Sequence, residues 1–380
     1  MPACIGHTCA PQAVNRAPGN PLSPTRLSAT PSALPAWAAR LQNPFATKPA
    51  NQRVSIGPLT SAPIGFGTWS WGNQFLWGYS QEDDEEIREV FNLLVSKGVN
   101  LFDTADSYGT GRLNGQSEKL LGKFIREYPG SAKERDGVLV ATKLAAYPWR
   151  VFSGQFVQAC RGSLKRMGKE SLAIGQLHWS TANYAPPQER ALWDGLAAMY
   201  DQGLVEAVGV SNYGPKQLAK IHAYLTKLGV PLASVQVQFS LLSKGKDQMA
   251  TKAACEDLGL RLIAYSPLAL GMLTGRYDAQ GSLPKGPRGL LFRQILPGAQ
   301  PLLQTLKEVA DGRGRSMSQV AINWCMCQGA IPIPGARSLS QARDNLGALD
   351  FRLSSAEVDA LSQAADGVPR PMIQNIFQTS

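Results

Sequence analysis

The chain of 380 residues has no aspartate or glutamate before Glu82. Its first 53 residues carry Arg16, Arg26, Arg40, Lys48 and Arg53 among many Ala, Pro, Ser and Thr. They lack the apolar core of a secretory signal, and an acid-free segment of this composition reads as an organelle transit peptide rather than an ordinary tail. Its Ser, Thr and Pro content, without an arginine-bearing amphipathic period, favours the chloroplast over the mitochondrion. Residues 1–53 are therefore expected to be a disordered transit peptide, and residues 54–380 the mature domain. Removing five basic residues lowers the formal charge from +10 to +5. That excess is diffuse, and no basic stripe is interleaved with aromatics, so nothing argues for nucleic acid.

Other absences narrow the class further. No stretch approaches the roughly 18 apolar residues of a membrane span. The six cysteines form no framework: Cys4 and Cys9 lie in the N-terminal segment, and Cys160 and Cys255 are isolated. Cys325 and Cys327 are two apart in a helical pattern, where side chains do not face each other. This argues for free thiols and against a zinc site. A glycine-rich dinucleotide turn is also missing. Gly109-Thr110-Gly111 lacks the third glycine, which argues against a doubly wound sheet.

What is present is an alternation. Apolar runs at 64–69, 99–102, 138–142, 172–177, 205–210, 234–237, 261–264 and 330–333 read as strands buried on both faces. Amphipathic segments lie between many of them. The segment 82–97 opens on Glu82, Asp83, Asp84, Glu85 and Glu86, suited to a helix N-terminus, and then lines one face with Ile87, Val90, Phe91, Leu94 and Val95. Eight such strands alternating with helices in about 300 residues indicate an α/β fold of the (β/α)8, or TIM-barrel, type. A small N-terminal hairpin is expected over 54–60. An extra C-terminal helix is expected over 354–365, with Ser354 and Glu357 as a capping box. The segments 70–80, 144–154 and 270–298 read as the loops that shape the mouth, and the last fifteen residues as loose or near it.

In a barrel, chemistry gathers where strands end. The second run leads to Asp103 and Tyr108, the third to Lys143, the fourth to His178 and Trp179. The fifth leads to Ser211 and Asn212, the sixth contains Gln236, and the seventh leads to Tyr265 and Ser266. Tyrosine is a poor acid at neutral pH, with a pKa near ~10. A fixed cation that stabilises its phenolate changes that. Asp103 would pair with Lys143, whose ammonium would lower the pKa of Tyr108. Tyr108 would then protonate a carbonyl oxygen as hydride reaches the carbon, while His178 hydrogen-bonds that oxygen. Singly, each group is open to a structural role as an ion pair, a satisfied core histidine or a packed ring; together they point to a site.

Asp-Thr-Ala-x-x-Tyr-Gly at 103–109, Thr-Lys at 142–143, Gln-Leu-His-Trp at 176–179, Gly-Val-Ser-Asn at 209–212 and Tyr-Ser-Pro-Leu at 265–268 resemble the aldo-keto reductases, over about residues 55–350. The N-terminal composition and Leu-Pro-Lys-Gly-Pro-Arg at 283–288 are similar to the plant and algal plastid branch. The resemblance implies a catalytic tetrad of Asp103, Tyr108, Lys143 and His178. It also implies NADPH extended across the barrel mouth, used to reduce an aldehyde or ketone to an alcohol. By position, Ser211, Asn212 and Gln236 would hold the nicotinamide carboxamide, and Tyr265 would stack on the ring. Ser266, Leu268, Gly271 and Leu273 would wrap the pyrophosphate, with Arg276 as anchor. Lys285, Arg288 and Arg293 read as solvated surface. Arg337 would hold the 2′-phosphate, and Asn345 would contact adenine. Gln341 belongs to the same corner, standing where the best-known branch has an arginine. Trp69, Trp149 and Trp179, with Trp71 and Tyr147 as further candidates, would wall a pocket for a small carbonyl compound. Relatives that serve as potassium-channel β subunits keep a second reading in view: an NADPH-binding regulatory or redox-sensing subunit with little turnover. A purely structural plastid barrel is a third.

Overall fold

The computed structural model describes residues 52–111, 114–279, 281, 283–284, 286–373 and 378–379. Most of the expected transit peptide, and Lys285, lie outside the described residues. The described residues form ten strands: β1 (Val54–Ile56), β2 (Leu59–Ser61), β3 (Gly65–Gly67), β4 (Leu101–Ala105), β5 (Leu139–Leu144), β6 (Leu172–Leu177), β7 (Val205–Ser211), β8 (Leu232–Gln238), β9 (Arg261–Tyr265) and β10 (Ile331–Ile333). Strands β3 to β10 form one sheet in sequence order, each pairing parallel with the next. The barrel closes where Gly67 N donates to Pro334 O at 3.1 Å. Every expected strand is found, with ends that differ by a few residues.

The hairpin β1–β2 is antiparallel. It puts Ile56 and Leu59 into an inner core with Leu101, Ala141, Ile174, Ala207, Ala233, Ile263 and Ile333. Its turn needs Gly57: φ is +54°, and a Cβ there would lie 2.8 Å from Ala233 Cβ. The hairpin thus seals the bottom and leaves the opposite, C-terminal face for function.

Helices cover the outside. Asp84–Ser96 buries the five apolar residues its period marks: Ile87, Val90, Phe91, Leu94 and Val95. The C-terminal helix Ser355–Asp366 is capped by Ser354, with Glu357 Oε2 accepting from Ser354 N at 2.7 Å. Among the described residues, no helix is long and apolar enough to cross a membrane.

One stretch departs from expectation. Part of the segment read as a mouth loop, 270–298, belongs to a long helix, Pro287–Arg313, with Pro297 and Pro301 inside it. An interior proline costs a helix about 3 kcal/mol. Here the burial of Phe292, Ile295, Leu296, Ala299, Leu302, Leu303, Leu306 and Val309 outweighs that local preference.

The chain end returns to the mouth. Met372 N donates to Leu242 O at 2.7 Å, Gly214 N to Thr379 Oγ1 at 3.0 Å, and Thr379 N to Asn212 O at 3.2 Å.

Candidate active site

Parallel register brings the tetrad candidates together. Ala105 on β4 faces Lys143 on β5, and Lys143 faces Gln176 on β6. Asp103, two residues before Ala105, lies on the same face of β4. Lys143 Nζ is ion-paired with Asp103 Oδ1, and both side chains are buried. The same ammonium donates to Thr104 O at 3.0 Å and lies 4.9 Å from the centroid of the Tyr108 ring. The Tyr108 and His178 rings are 5.9 Å apart, edge to face. Trp69 stands 6.4 Å from Tyr108 on the other side. A proton donor, an imidazole and a fixed cation thus surround one point at the closed end of a cleft.

The electrostatics differ from the expectation in one respect. The Tyr108 phenol is held well above its ordinary value, by burial first and by the charge of Asp103 second. Lys143 is shifted down by its own burial and held up by Asp103. In the resting protein the proton therefore stays on Tyr108, and the neighbouring ion pair does not lower its pKa. His178 is pushed well below 6.5, by burial first and by Lys143 second, so its ring is neutral at neutral pH. Below 6.5 the unfolded chain takes up a proton that the folded ring refuses. Folding stability should therefore fall with decreasing pH from that point, by about 1.4 kcal/mol per pH unit for one proton. His178→Gln should flatten that slope in urea unfolding series at successive pH values; equal slopes would assign the proton to another group.

The next two strands supply the amide cluster. Asn212 sits in the left-handed region, φ +62°, a strained position for a residue with a Cβ. Its Nδ2 donates to His178 O at 3.0 Å, and its Oδ1 accepts from the Tyr265 hydroxyl at 2.9 Å. Ser211 Oγ donates to Gln236 O at 2.9 Å, whereas Gln236 Nε2 donates to Asp103 Oδ2 at 2.7 Å. Beyond β9, Ser266, Ala269, Leu270 and Gly271 all have positive φ, curling the backbone along the cleft. A Cβ on Gly271 would lie 3.3 Å from Arg288 Nη2.

The cleft has a volume of about 510 Å³ and runs from the tetrad candidates past Tyr265, Ser266, Leu268, Gly271 and Arg276 to Arg337, Gln341 and Asn345. At the far corner, Arg337 Nη1 donates to Trp77 O, Gln341 Oε1 accepts from Arg337 N at 2.9 Å, and Asn345 Nδ2 donates to Gly335 O at 3.2 Å. Trp69 lines the cleft, and Trp179 packs 5.1 Å from the His178 ring. Trp179 itself is not on the cleft wall, and neither are Tyr147 and three further candidates. Leu273 is fully buried in the core, Trp71 is buried with its indole N–H on Ala336 O, and Trp149 is 64% exposed, stacked on Tyr147 outside the cleft wall.

One cleft residue, Arg288, does more than its expected place on a solvated surface implies. Arg293 is exposed, but Arg288 is half-buried, donates to Leu270 O at 2.7 Å and lies 4.6 Å over the Trp77 ring. A proline at the first helical position puts Arg288 in the first turn of Pro287–Arg313. A cation there opposes the helix dipole, and that misplacement is the signal that could have found it.

These residues fit an elongated anionic cofactor. Ser70 Oγ, Trp77 Nε1 and Arg288 Nε are buried, line the cleft and lack a hydrogen-bond partner among the described residues. Among the described residues, Arg276, Arg288 and Arg337 form no ion pair. Three unpaired guanidiniums, with a left-handed backbone curl beside them, suit a phosphate-bearing ligand.

Fold and cleft define the class, a (β/α)8 barrel with its ligand cleft at the strand ends. The sequence pattern of the Aldo/keto reductase family matches residues 63–366, and the chain belongs to that family. A chloroplastic pyridoxal reductase of Arabidopsis thaliana is 62% identical over 328 residues, 86% of this chain and 90% of that protein. L-glyceraldehyde 3-phosphate reductase of Escherichia coli is 29% identical over 74% of this chain and 83% of its own. The glycerol dehydrogenase of Gluconobacter oxydans shares the fold, with a TM-score of 0.70 at 23% identity over 85% of this chain and 98% of that one.

Proposed function

We propose that this protein reduces a small aldehyde or ketone to the alcohol with NADPH, using Tyr108 as the general acid. The observation that carries the reading is the meeting of Tyr108, His178 and the buried Lys143–Asp103 pair at the closed end of a cleft whose far end holds Arg337, Gln341 and Asn345. The 62% identity to a pyridoxal reductase makes pyridoxal the first substrate to test. That relative's chloroplast location and the acid-free N-terminus support a plastid enzyme whose residues 1–53 are a transit peptide.

When bound, the reduced nicotinamide supplies hydride to the carbonyl carbon. Tyr108 gives its proton to the carbonyl oxygen. The ammonium of Lys143 stabilises the phenolate as it forms, and Asp103 holds that ammonium in place. His178, neutral, donates a hydrogen bond to the same oxygen and fixes its direction. Ser211, Asn212 and Tyr265 orient the nicotinamide end. Arg276 and Arg288 would hold the pyrophosphate, and Arg337 the 2′-phosphate.

The test is NADPH oxidation by residues 54–380 with pyridoxal, methylglyoxal and nitrobenzaldehyde, with NADH in parallel. Arg337→Ala removes one charge-assisted contact and should weaken NADPH binding about 10- to 100-fold with NADH little changed. Oxidation of neither cofactor on any substrate counts against the reductase reading. Equal weakening of both cofactors would move Arg337 away from the 2′-phosphate. Residues 1–53 fused to a fluorescent protein should carry it into isolated plastids, and a fusion left outside them overturns that address.

A further inference from the structure

Gln176 is fully buried on β6, two residues before His178, and is absent from the cleft wall. A buried amide without partners is costly, so its place inside a barrel requires hydrogen-bond partners. Its Nε2 donates to Asp103 Oδ2 at 3.1 Å. Gln236 Nε2 donates to the same oxygen at 2.7 Å and lies 3.4 Å from Gln176 Oε1. The other carboxylate oxygen, Oδ1, holds Lys143. One face of Asp103 thus carries the cation, and the other is gripped by two amides from β6 and β8.

This grip has a mechanical consequence. A carboxylate bound on one oxygen alone can turn about its Cβ–Cγ bond and take the ammonium with it. Two donors on the second oxygen fix its plane. Lys143 Nζ is then set by Asp103 Oδ1 and Thr104 O together, beside the Tyr108 ring. Gln236 also lines the cleft, so the clamp touches the space the cofactor would fill, whereas Gln176 acts only through Asp103.

We propose that Gln176 is a positioning residue for carbonyl reduction: with Gln236 it locks the plane of Asp103, so that the charge of Lys143 is aimed at the Tyr108 hydroxyl as it gives up its proton. This rests on Tyr108 being the acid.

The test compares Gln176→Met, Gln176→Glu and Tyr108→Phe in the full mature chain, with kcat normalised to bound NADPH. Gln176→Met keeps the volume and removes the donor. It should lower kcat about 10-fold, with the KM for the carbonyl and the Kd for NADPH within about two-fold of wild type. Gln176→Glu sets a second carboxylate against Asp103. Two carboxylates so close share one proton, so its kcat should acquire an alkaline fall that the wild type lacks. A merely structural role would lower the unfolding temperature and the active fraction but leave kcat per bound cofactor and its pH profile unchanged. That outcome in both variants overturns the proposal. If Gln176→Met does not fold, the isosteric Gln176→Glu profile decides alone. Wild-type turnover in Tyr108→Phe would instead remove the acid assignment itself, and the clamp's role with it.

Discussion

Tyr108→Phe should lower kcat for carbonyl reduction by about 10²- to 10⁴-fold, the usual contribution of a general acid, while NADPH binding stays within about two-fold. The substitution keeps the ring, and with it the packing against Trp69 and His178 and the position over the Lys143 ammonium. Only the proton donor is lost. Burial and Asp103 hold the phenol above its ordinary range, so the acid is loaded at neutral pH. For the free enzyme the sign follows directly. A raised tyrosine does not ionise below its ordinary ~10, so no alkaline loss of kcat/KM below that pH belongs to Tyr108. Under the proposed mechanism Lys143 would contribute at a later point, when negative charge develops on the Tyr108 oxygen as its proton leaves. The measurements are single-turnover NADPH oxidation and cofactor fluorescence titration for both proteins. Wild-type turnover in the variant would falsify the role of Tyr108 and turn attention to His178.

The barrel was legible because its strands are buried on both faces. The run 172–177 coincides with β6, and no tertiary contact was needed to find it. The tetrad candidates were legible for a related reason: the parallel register fixes which strand ends are neighbours. What local pattern does not carry is the direction of a loop side chain. Leu273 and Leu268 lie in one apolar run, yet one is core and the other lines the cleft, because Ala269, Leu270 and Gly271 turn the chain through left-handed conformations. Alanine and leucine give no local warning of such a turn. Trp149 shows the same limit, with an exposed ring on a segment whose aromatic residues suggested a pocket wall. The Pro287–Arg313 helix was obscured by its two interior prolines, which only the packing beneath them overrides. The bond from Gln236 to Asp103 joins residues 133 apart in sequence, and side-chain period alone does not say which inward residues of different strands meet.

Asp103→Leu tests whether the ion pair is structural as well as functional. It leaves Lys143 buried with Thr104 O as its remaining acceptor among the described residues, and a buried charge stripped of its partner costs about 3–5 kcal/mol. The unfolding temperature of the 54–380 domain should fall by about 4–7 °C. The deficit should shrink as pH rises, because burial already pulls the lysine pKa down and Asp103 is the largest influence holding it up. Without that carboxylate the side chain is more easily buried neutral. Asp103→Leu combined with Lys143→Met removes the stranded charge, since a buried pair is often replaceable by apolar residues at little cost. Here recovery should stop near half, because Gln176 and Gln236 both lose their acceptor on Asp103, and an orphaned buried donor costs about 1–3 kcal/mol. Neither variant should reduce carbonyl compounds at a useful rate. Calorimetry of the wild type, the single and the double variant at two pH values separates the terms. A single variant as stable as wild type would mean that the lysine reaches water. A double variant fully restored would mean that the two glutamines find other partners.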